Sequence, residues 1–206
     1  MIRRGFRWHP AVIGLVLALL TAPSAEGHKP LQIGGTASGH RMATAQRIPD
    51  PEISWVYYLD LPRPGQVDYF RFTGRGGAIV PIQLGVPKIP ELLNFRPLVV
   101  LIGPGLPPAP PIPGIDLPSG SGAVLIHFET PLRRTFFEPF SRTTSWVTPE
   151  YRTPLPQAGE YVLAVYEPDG RTGKYFLAIG QKEAFSVFDF LRLPCTLWKV
   201  RRFYDR

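Results

Sequence analysis

The sequence is short of the residues that carry covalent and redox chemistry, and it lacks the common catalytic motifs. Cys195 is the only cysteine among 206 residues, which excludes an intramolecular disulfide. No HExxH, GxSxG or phosphate-binding P-loop occurs, so the usual signatures of zinc proteases, serine hydrolases and nucleotide hydrolases are missing. We therefore expect a protein that is held together by apolar packing and that is not an enzyme.

The sequence also lacks an apolar run long enough to cross a membrane. The longest one, residues 11–22, is shorter than the about 20 residues that a membrane span needs. It follows Arg3, Arg4 and Arg7 and precedes small residues up to Gly27, which is the layout of a secretory signal peptide over residues 1–27. An uncleaved anchor, a twin-arginine signal and cleavage after Ala25 instead of Gly27 are the alternatives. The expected location is periplasmic or extracellular, with association with a membrane as a further alternative.

Charge narrows the choice of partners. Without residues 1–27, the chain keeps 20 basic and 15 acidic side chains, spread along its length. A protein that is exported and has no basic cluster in its body is a poor candidate for binding nucleic acid. An anionic surface of lipid or polysaccharide fits the charge better.

Short alternating segments with turn signals between them dominate the rest of the chain. They predict an all-β fold, a single antiparallel β-sandwich of jelly-roll-like type over residues 28–183, and no helix before residue 184. The predicted strands are residues 54–61, 67–73, 78–86, 98–102, 123–129, 135–140, 160–167 and 174–180. Residues 29–47 are predicted to be an extended lead-in.

Residues 155–180 show the clearest pattern. Tyr161, Leu163 and Val165 alternate along one segment, and a second alternating segment follows a loop that contains Pro-Asp-Gly. This pattern predicts a β-hairpin.

Two further segments have no alternation. Residues 103–118 contain seven prolines, which predicts a stiff surface loop between two strands. Residues 141–156, which include Trp146 and Tyr151, are predicted to wrap one edge of the sandwich without regular structure.

Residues 184–206 form a tail of a different character, predicted to be helical or extended. Phe185, Phe188 and Leu191 recur at helical spacing before Pro194, and aromatic and basic residues are mixed beyond it. Two interpretations stay open: a tail that packs back over the sandwich, which we favour, and an element that contacts a membrane or a partner. The predicted contact residues are Leu197, Trp198, Lys199, Arg201, Arg202, Phe203 and Tyr204.

Two short motifs resemble the secreted β-sandwich domains of the bacterial pre-peptidase C-terminal (PPC) type. One is residues 65–72 (GQVDYFRF), and the other is residues 155–162 (LPQAGEYV), which is followed by a last strand at 175–179. The resemblance implies a non-catalytic module of the kind attached to secreted enzymes. Some modules of that family bind matrix or polysaccharide. Residues 97–103 (PLVVLIG) lack the aspartates of that family's central strand, so a calcium site of the family type is not expected.

A copper site is the alternative functional hypothesis. If the mature chain began at His28, its α-amine and imidazole, together with an imidazole from His40 or His127, would offer three nitrogen ligands to one copper ion. The main prediction uses no cofactor. It is an exported, non-catalytic binding or structural module of the cell envelope that contacts a protein, a polysaccharide or the membrane surface.

Overall fold

The alternating segments of the sequence form two stacked β-sheets, and the computed structural model describes residues 28–129 and 133–205 of the chain. Most of the regular secondary structure in the described part is strand, and it ends in one helix, which confirms the predicted all-β sandwich with a short helical tail.

The strands, in chain order, are β1 (Lys29–Ile33), β2 (Gln46–Arg47), β3 (Trp55–Leu61), β4 (Val67–Gly74), β5 (Ile82–Pro87), β6 (Leu98–Pro104), β7 (Ser121–Ile126), β8 (Arg134–Glu138), β9 (Thr143–Val147), β10 (Gly159–Tyr166) and β11 (Gly173–Ile179). Short 3-10 helices lie at Met42–Thr44 and Pro90–Leu92, and the C-terminal helix α1 spans Val187–Tyr204. One sheet has six strands in the order β1-β3-β11-β5-β9-β8, and the other has five in the order β2-β4-β10-β6-β7.

The sheets are antiparallel except at one edge of each. β1 runs parallel to β3, and β2 runs parallel to β4. Both exceptions come from the predicted extended lead-in, which covers the edge of the six-stranded sheet first and then crosses to the edge of the five-stranded one. The extended lead-in thus contains two edge strands that were not among the predicted strands, because edge strands this short leave no periodic pattern.

The predicted hairpin at residues 155–180 is also wrong, although both of its strands exist. β10 pairs with β4 and β6 in the five-stranded sheet, whereas β11 pairs with β3 and β5 in the six-stranded sheet. The loop between them therefore crosses from one sheet to the other. Alternation shows that a strand has an inner face, but it does not show which sheet the strand joins.

The main core lies between the two sheets. Its fully buried members include Phe70, Leu84, Leu101, Leu163 and Leu177, which come from both inner faces. Tyr175 and Tyr161 are equally buried and use their hydroxyls within the core: Tyr175 donates to Asp68 at 2.7 Å and Tyr161 to the Pro104 carbonyl at 3.1 Å. Both of these buried hydroxyls thus have a partner, as burial requires.

The outer faces of both sheets are apolar as well, and each has its own cover. The proline-rich loop between β6 and β7 places Ile112, Ile115 and Leu117 on the outer face of the five-stranded sheet, where they pack with Val100 and Ala164. Helix α1 lies on the outer face of the six-stranded sheet. The predicted surface loop is therefore one of the two covering layers.

Two predictions about local structure need correction, one for residues 141–156 and one for the C-terminal helix. β9 lies inside residues 141–156, where no strand was predicted, and it holds Trp146 against the main core. Helix α1 continues through Pro194, beyond the residues whose helical spacing was recognised in the sequence. A capping box at Ser186 and Asp189 and the packing of its last turns on the sheet stabilise the helix on both sides of the proline.

We predict that Gly85→Ala destabilises the fold by about 1–3 kcal/mol through overpacking. Gly85 lies opposite Phe176, and an added Cβ would clash with the edge of the Phe176 ring. Urea denaturation measures the change. Gly76→Ala is the matched control, because the nearest atom to its added Cβ lies at 3.4 Å, and its effect should stay within about 0.5 kcal/mol. Equal effects of the two variants would contradict the packing account.

Candidate functional site

Helix α1 is docked on the six-stranded sheet through its last turns. Val200, Phe203 and Tyr204 are buried against Ile33 and Tyr58. The Tyr204 hydroxyl lies 2.7 Å from the hydroxyl of Ser145 on β9, and Lys174 of β11 donates to the Phe203 carbonyl at 2.9 Å. These contacts reach from β1 to β9 and fix which side of the helix faces the sheet.

Polar contacts hold both ends of the helix. At its start, the Lys29 ammonium lies 2.7 Å from the Asp189 carboxylate, which also accepts from the backbone N–H and hydroxyl of Ser186. Near its end, Arg201 donates to the carbonyls of Ser141 and Phe140 in the β8–β9 turn. The hydrogen bond from Lys29, followed by those from Ser186, lowers the pKa of Asp189 to about 2.

The side of α1 that faces away from the sheet carries large apolar residues together with cations. Phe188, Phe190, Leu191 and Trp198 are 71%, 61%, 73% and 55% exposed. Arg192, Lys199 and Arg202 are exposed beside them. We call this set the aromatic-basic face: Phe188, Phe190, Leu191, Arg192, Trp198, Lys199 and Arg202. Phe190 lies at its margin, and the Arg202 guanidinium lies over the Trp198 ring at 5.2 Å.

The aromatic-basic face contains no carboxylate. The acidic residues of α1 and its cap are Asp189, which pairs with Lys29, and Asp205 at the C-terminal end. Cations next to exposed aromatic side chains, with no acid among them, suit an anionic and partly apolar surface.

The structure divides the predicted tail contacts into two groups. Trp198, Lys199, Arg201 and Arg202 are exposed, and Leu197 is half-buried. Phe203 and Tyr204 are buried against the sheet, so the prediction that they contact a membrane or partner is wrong. The last turn of the helix is its anchor.

The residues that the sequence prediction missed lie in the first half of the helix. Phe188, Phe190, Leu191 and Arg192 belong to the exposed face but were not predicted as contacts. Their helical spacing was visible in the sequence, but spacing alone does not show which side of a helix meets the protein.

The predicted copper ligands do not come together. Lys29, next to His28, donates its backbone N–H to Ser54 at the start of β3, whereas His40 lies beside Asp68 at the start of β4. β4 follows the far end of β3, so the two histidines are separated by the length of β3, roughly 20 Å at about 3.3 Å per residue.

His127 does not reach His28 either. It follows β7, whose Ile126 pairs with Val99, and this places it at the His40 end of the sandwich. Its Nδ1 lies 2.9 Å from the Phe128 carbonyl oxygen. The three-nitrogen copper site is therefore not formed in this fold, and no group of three or more metal-ligating side chains occurs within the described residues.

His40 belongs instead to a polar cluster at one end of the core. Its Nδ1 lies 3.0 Å from the fully buried Asp68 carboxylate, which also accepts from Gln66 at 2.7 Å and from Tyr175. Burial raises the pKa of Asp68 despite these hydrogen bonds. An open cleft of about 340 Å³ next to it is lined by His40, Arg63 and Gln66.

The cluster holds two loops against the sandwich and offers no nucleophile to His40. Ser38, the hydroxyl nearest to it in sequence, lies 3.2 Å from the side-chain oxygen of Gln46 instead. Cys195 is exposed on α1.

No protein-family model matches this chain, and a search of curated proteins gives no match. None of the helices in the described ranges is long and apolar enough to cross a bilayer. The geometry of the helix face therefore carries the functional argument.

We predict that Lys29→Gln raises the pKa of Asp189 from about 2 toward the ordinary value of about 3.9. Since the folded pKa is depressed, the carboxylate stabilises the docked helix above about pH 4, and this contribution is lost as the pH falls toward about 2. A carboxyl ¹³C titration by NMR measures the midpoint. Lys88→Gln, which removes an exposed cation elsewhere, should leave it unchanged. A midpoint near 3.9 in the unmodified protein would contradict the ion pair.

Proposed function

We propose that this protein is an exported, non-catalytic β-sandwich module of the cell envelope that binds an anionic membrane surface through the aromatic-basic face of α1. The observation that carries the proposal is the exposure of Phe188, Leu191 and Trp198 beside Arg192 and Lys199 on a helix whose last turns are packed on the sheet.

The helix has the properties of an interfacial element rather than a spanning one. It has 18 residues, and its exposed surface carries cations as well as large aromatic side chains. Such helices lie in the plane of the membrane, with apolar side chains at the boundary between headgroups and acyl chains. Trp198 also has an indole N–H, which suits that boundary because one end of the ring is polar.

Docking on the sheet prepares the helix for this contact. The anchor residues Val200, Phe203 and Tyr204 and the Lys29–Asp189 ion pair hold it in place before any surface is met. Binding then does not have to pay for folding the helix, which is the usual cost for a free amphipathic segment.

Charge sets the preferred surface. Arg192, Lys199 and Arg202 each contribute about 1 kcal/mol near an anionic bilayer, which is a total of about 3 kcal/mol. A neutral surface offers only the apolar part of this contact. The proposal therefore commits to anionic lipid, and an envelope protein or a polysaccharide is an outcome of the test.

The PPC-type resemblance supports a non-catalytic role. Its two motifs fall on β4 and β10, which are hydrogen-bonded neighbours over eight paired residues in the five-stranded sheet. Both strands are scaffold, and the proposed contact lies on the other sheet.

We predict that the purified protein sediments with vesicles that contain phosphatidylglycerol and much less with vesicles of phosphatidylcholine alone. Lys199→Gln with Arg202→Gln should weaken the binding by about 30-fold, because two cations of about 1 kcal/mol each are lost. Arg47→Gln with Lys88→Gln removes the same charge from other exposed positions and should leave the binding unchanged.

A second pair of variants tests the apolar part. The double variant Leu191→Ala with Trp198→Ala should reduce vesicle binding by about tenfold or more, because it removes two large apolar side chains from the contact. The control double variant Leu93→Ala with Leu125→Ala changes exposed leucines elsewhere and should leave the binding unchanged. Absence of sedimentation with either vesicle would contradict the proposal and would favour a protein or polysaccharide partner. Equal loss in the test and control variants would contradict the assignment to α1.

A further inference from the structure

Strand β8 forms an open edge of the six-stranded sheet. It pairs with β9 on one side, and among the described residues no strand lies on the other. Phe136 and Phe137 are 45% and 55% exposed. An apolar edge strand with free backbone groups is a template for pairing with another strand.

The side chains of β8 divide between the two faces of the sheet in a definite way. Phe136 pairs with Ser145, whose hydroxyl meets Tyr204 of α1, so Phe136 lies on the helix-bearing outer face. Arg134 and Glu138, two positions away on either side, lie on that face as well. Thr135 and Phe137 share the opposite face with Trp146 and Thr144.

We infer that two copies of this chain join their six-stranded sheets by antiparallel pairing of β8 with β8, centred on Phe136. In this register Arg134 of each copy lies opposite Glu138 of the other copy. The two Phe136 residues lie opposite each other, and Thr135 of each copy lies opposite Phe137 of the other. A two-fold arrangement of this kind is self-complementary and closes after two copies.

Charge complementarity selects the second copy as the occupant of this edge. Within the chain, Arg134 lies opposite Val147 and Glu138 opposite Thr143, and neither forms an ion pair among the described residues. One oxygen of the half-buried Glu138 accepts from the Phe140 backbone N–H at 3.1 Å. The paired register supplies a guanidinium to this carboxylate, and opposite charges directly across two strands stabilise the pairing.

The arrangement has a consequence for the proposed membrane contact, and this step rests on that proposed function. The two-fold axis of an antiparallel strand pair of this kind stands perpendicular to the joined sheet. Both α1 helices then lie on the same side, so a dimer would present two aromatic-basic faces to one membrane. Two linked contacts bind more tightly than either alone.

Sedimentation equilibrium of the purified protein without lipid tests the pairing and leaves the vesicle assay as a separate measurement. Arg134→Glu or Glu138→Arg alone places like charges opposite each other and should weaken the dimer by about tenfold or more. The double variant Arg134→Glu with Glu138→Arg restores opposite charges and should restore the dimer. Arg47→Glu, on the edge strand of the other sheet, is the control and should have no effect.

A cysteine cross-link tests the register. In a Cys195→Ser background, Phe136→Cys places two thiols directly opposite each other at a Cα separation of about 4.5–5.5 Å, which a disulfide can bridge. A cysteine at position 135 lies opposite Phe137 of the other copy and not opposite a second cysteine, so Thr135→Cys should cross-link far less. A monomer at all concentrations up to several hundred micromolar, or equal cross-linking of the two variants, would overturn the inference, as would a double charge variant that stays dissociated. Far-UV circular dichroism of each variant shows whether the fold is intact.

Discussion

The constraint on which the rest of this structure depends is that both sheets are apolar on both faces. In β10 every residue from Tyr161 to Val165 is buried, so consecutive side chains on opposite faces are all removed from water. A two-layer sandwich covers only the inner faces. Each outer face therefore needs a further layer, and the chain supplies the proline-rich loop for the five-stranded sheet and α1 for the six-stranded sheet. The loop can serve as a cover because its prolines have no N–H groups that would otherwise have to be satisfied when buried.

This constraint also explains why α1 has apolar residues on two sides. One side supplies Val200, Phe203 and Tyr204 to the sheet, and that requirement is met within the last two turns. The first half of the helix carries Phe188 and Leu191, which the sheet does not need and does not cover. A helix that exposes apolar residues outside the side it buries is expected to use them in a second contact. The cations beside these residues make an anionic interface a better match than the core of another protein.

The strands that could be predicted from the sequence are those with a clear alternation of apolar residues. β3, β4, β6, β10 and β11 were recognised because one face of each is uniformly buried in the main core. The partner strands of β10 and β11 were predicted wrongly, because a short loop with Pro168 and Gly170 fits a hairpin and a crossing between sheets equally well. The same limit applies to the site. Helical spacing identified the tail as amphipathic, but only the contact of Phe203 with the sheet shows that Phe203 is buried while Trp198 is exposed. The separation of His28 from His40 depends on strand register, which has no signature in the spacing of histidines.

The open edge at β8 is compatible with a discrete protein because its charges oppose extended assembly. Parallel, in-register stacking of β8 on itself would place Arg134 on Arg134 and Glu138 on Glu138 in every layer, and like charges directly across strands destabilise the pair. Antiparallel pairing centred on Phe136 does the reverse, and it uses the free edges of both copies at once. Pro139, directly after β8, cannot donate to a further ladder and limits the pairing to this short strand. The same five residues that make the edge attractive to a second copy therefore restrict it to one.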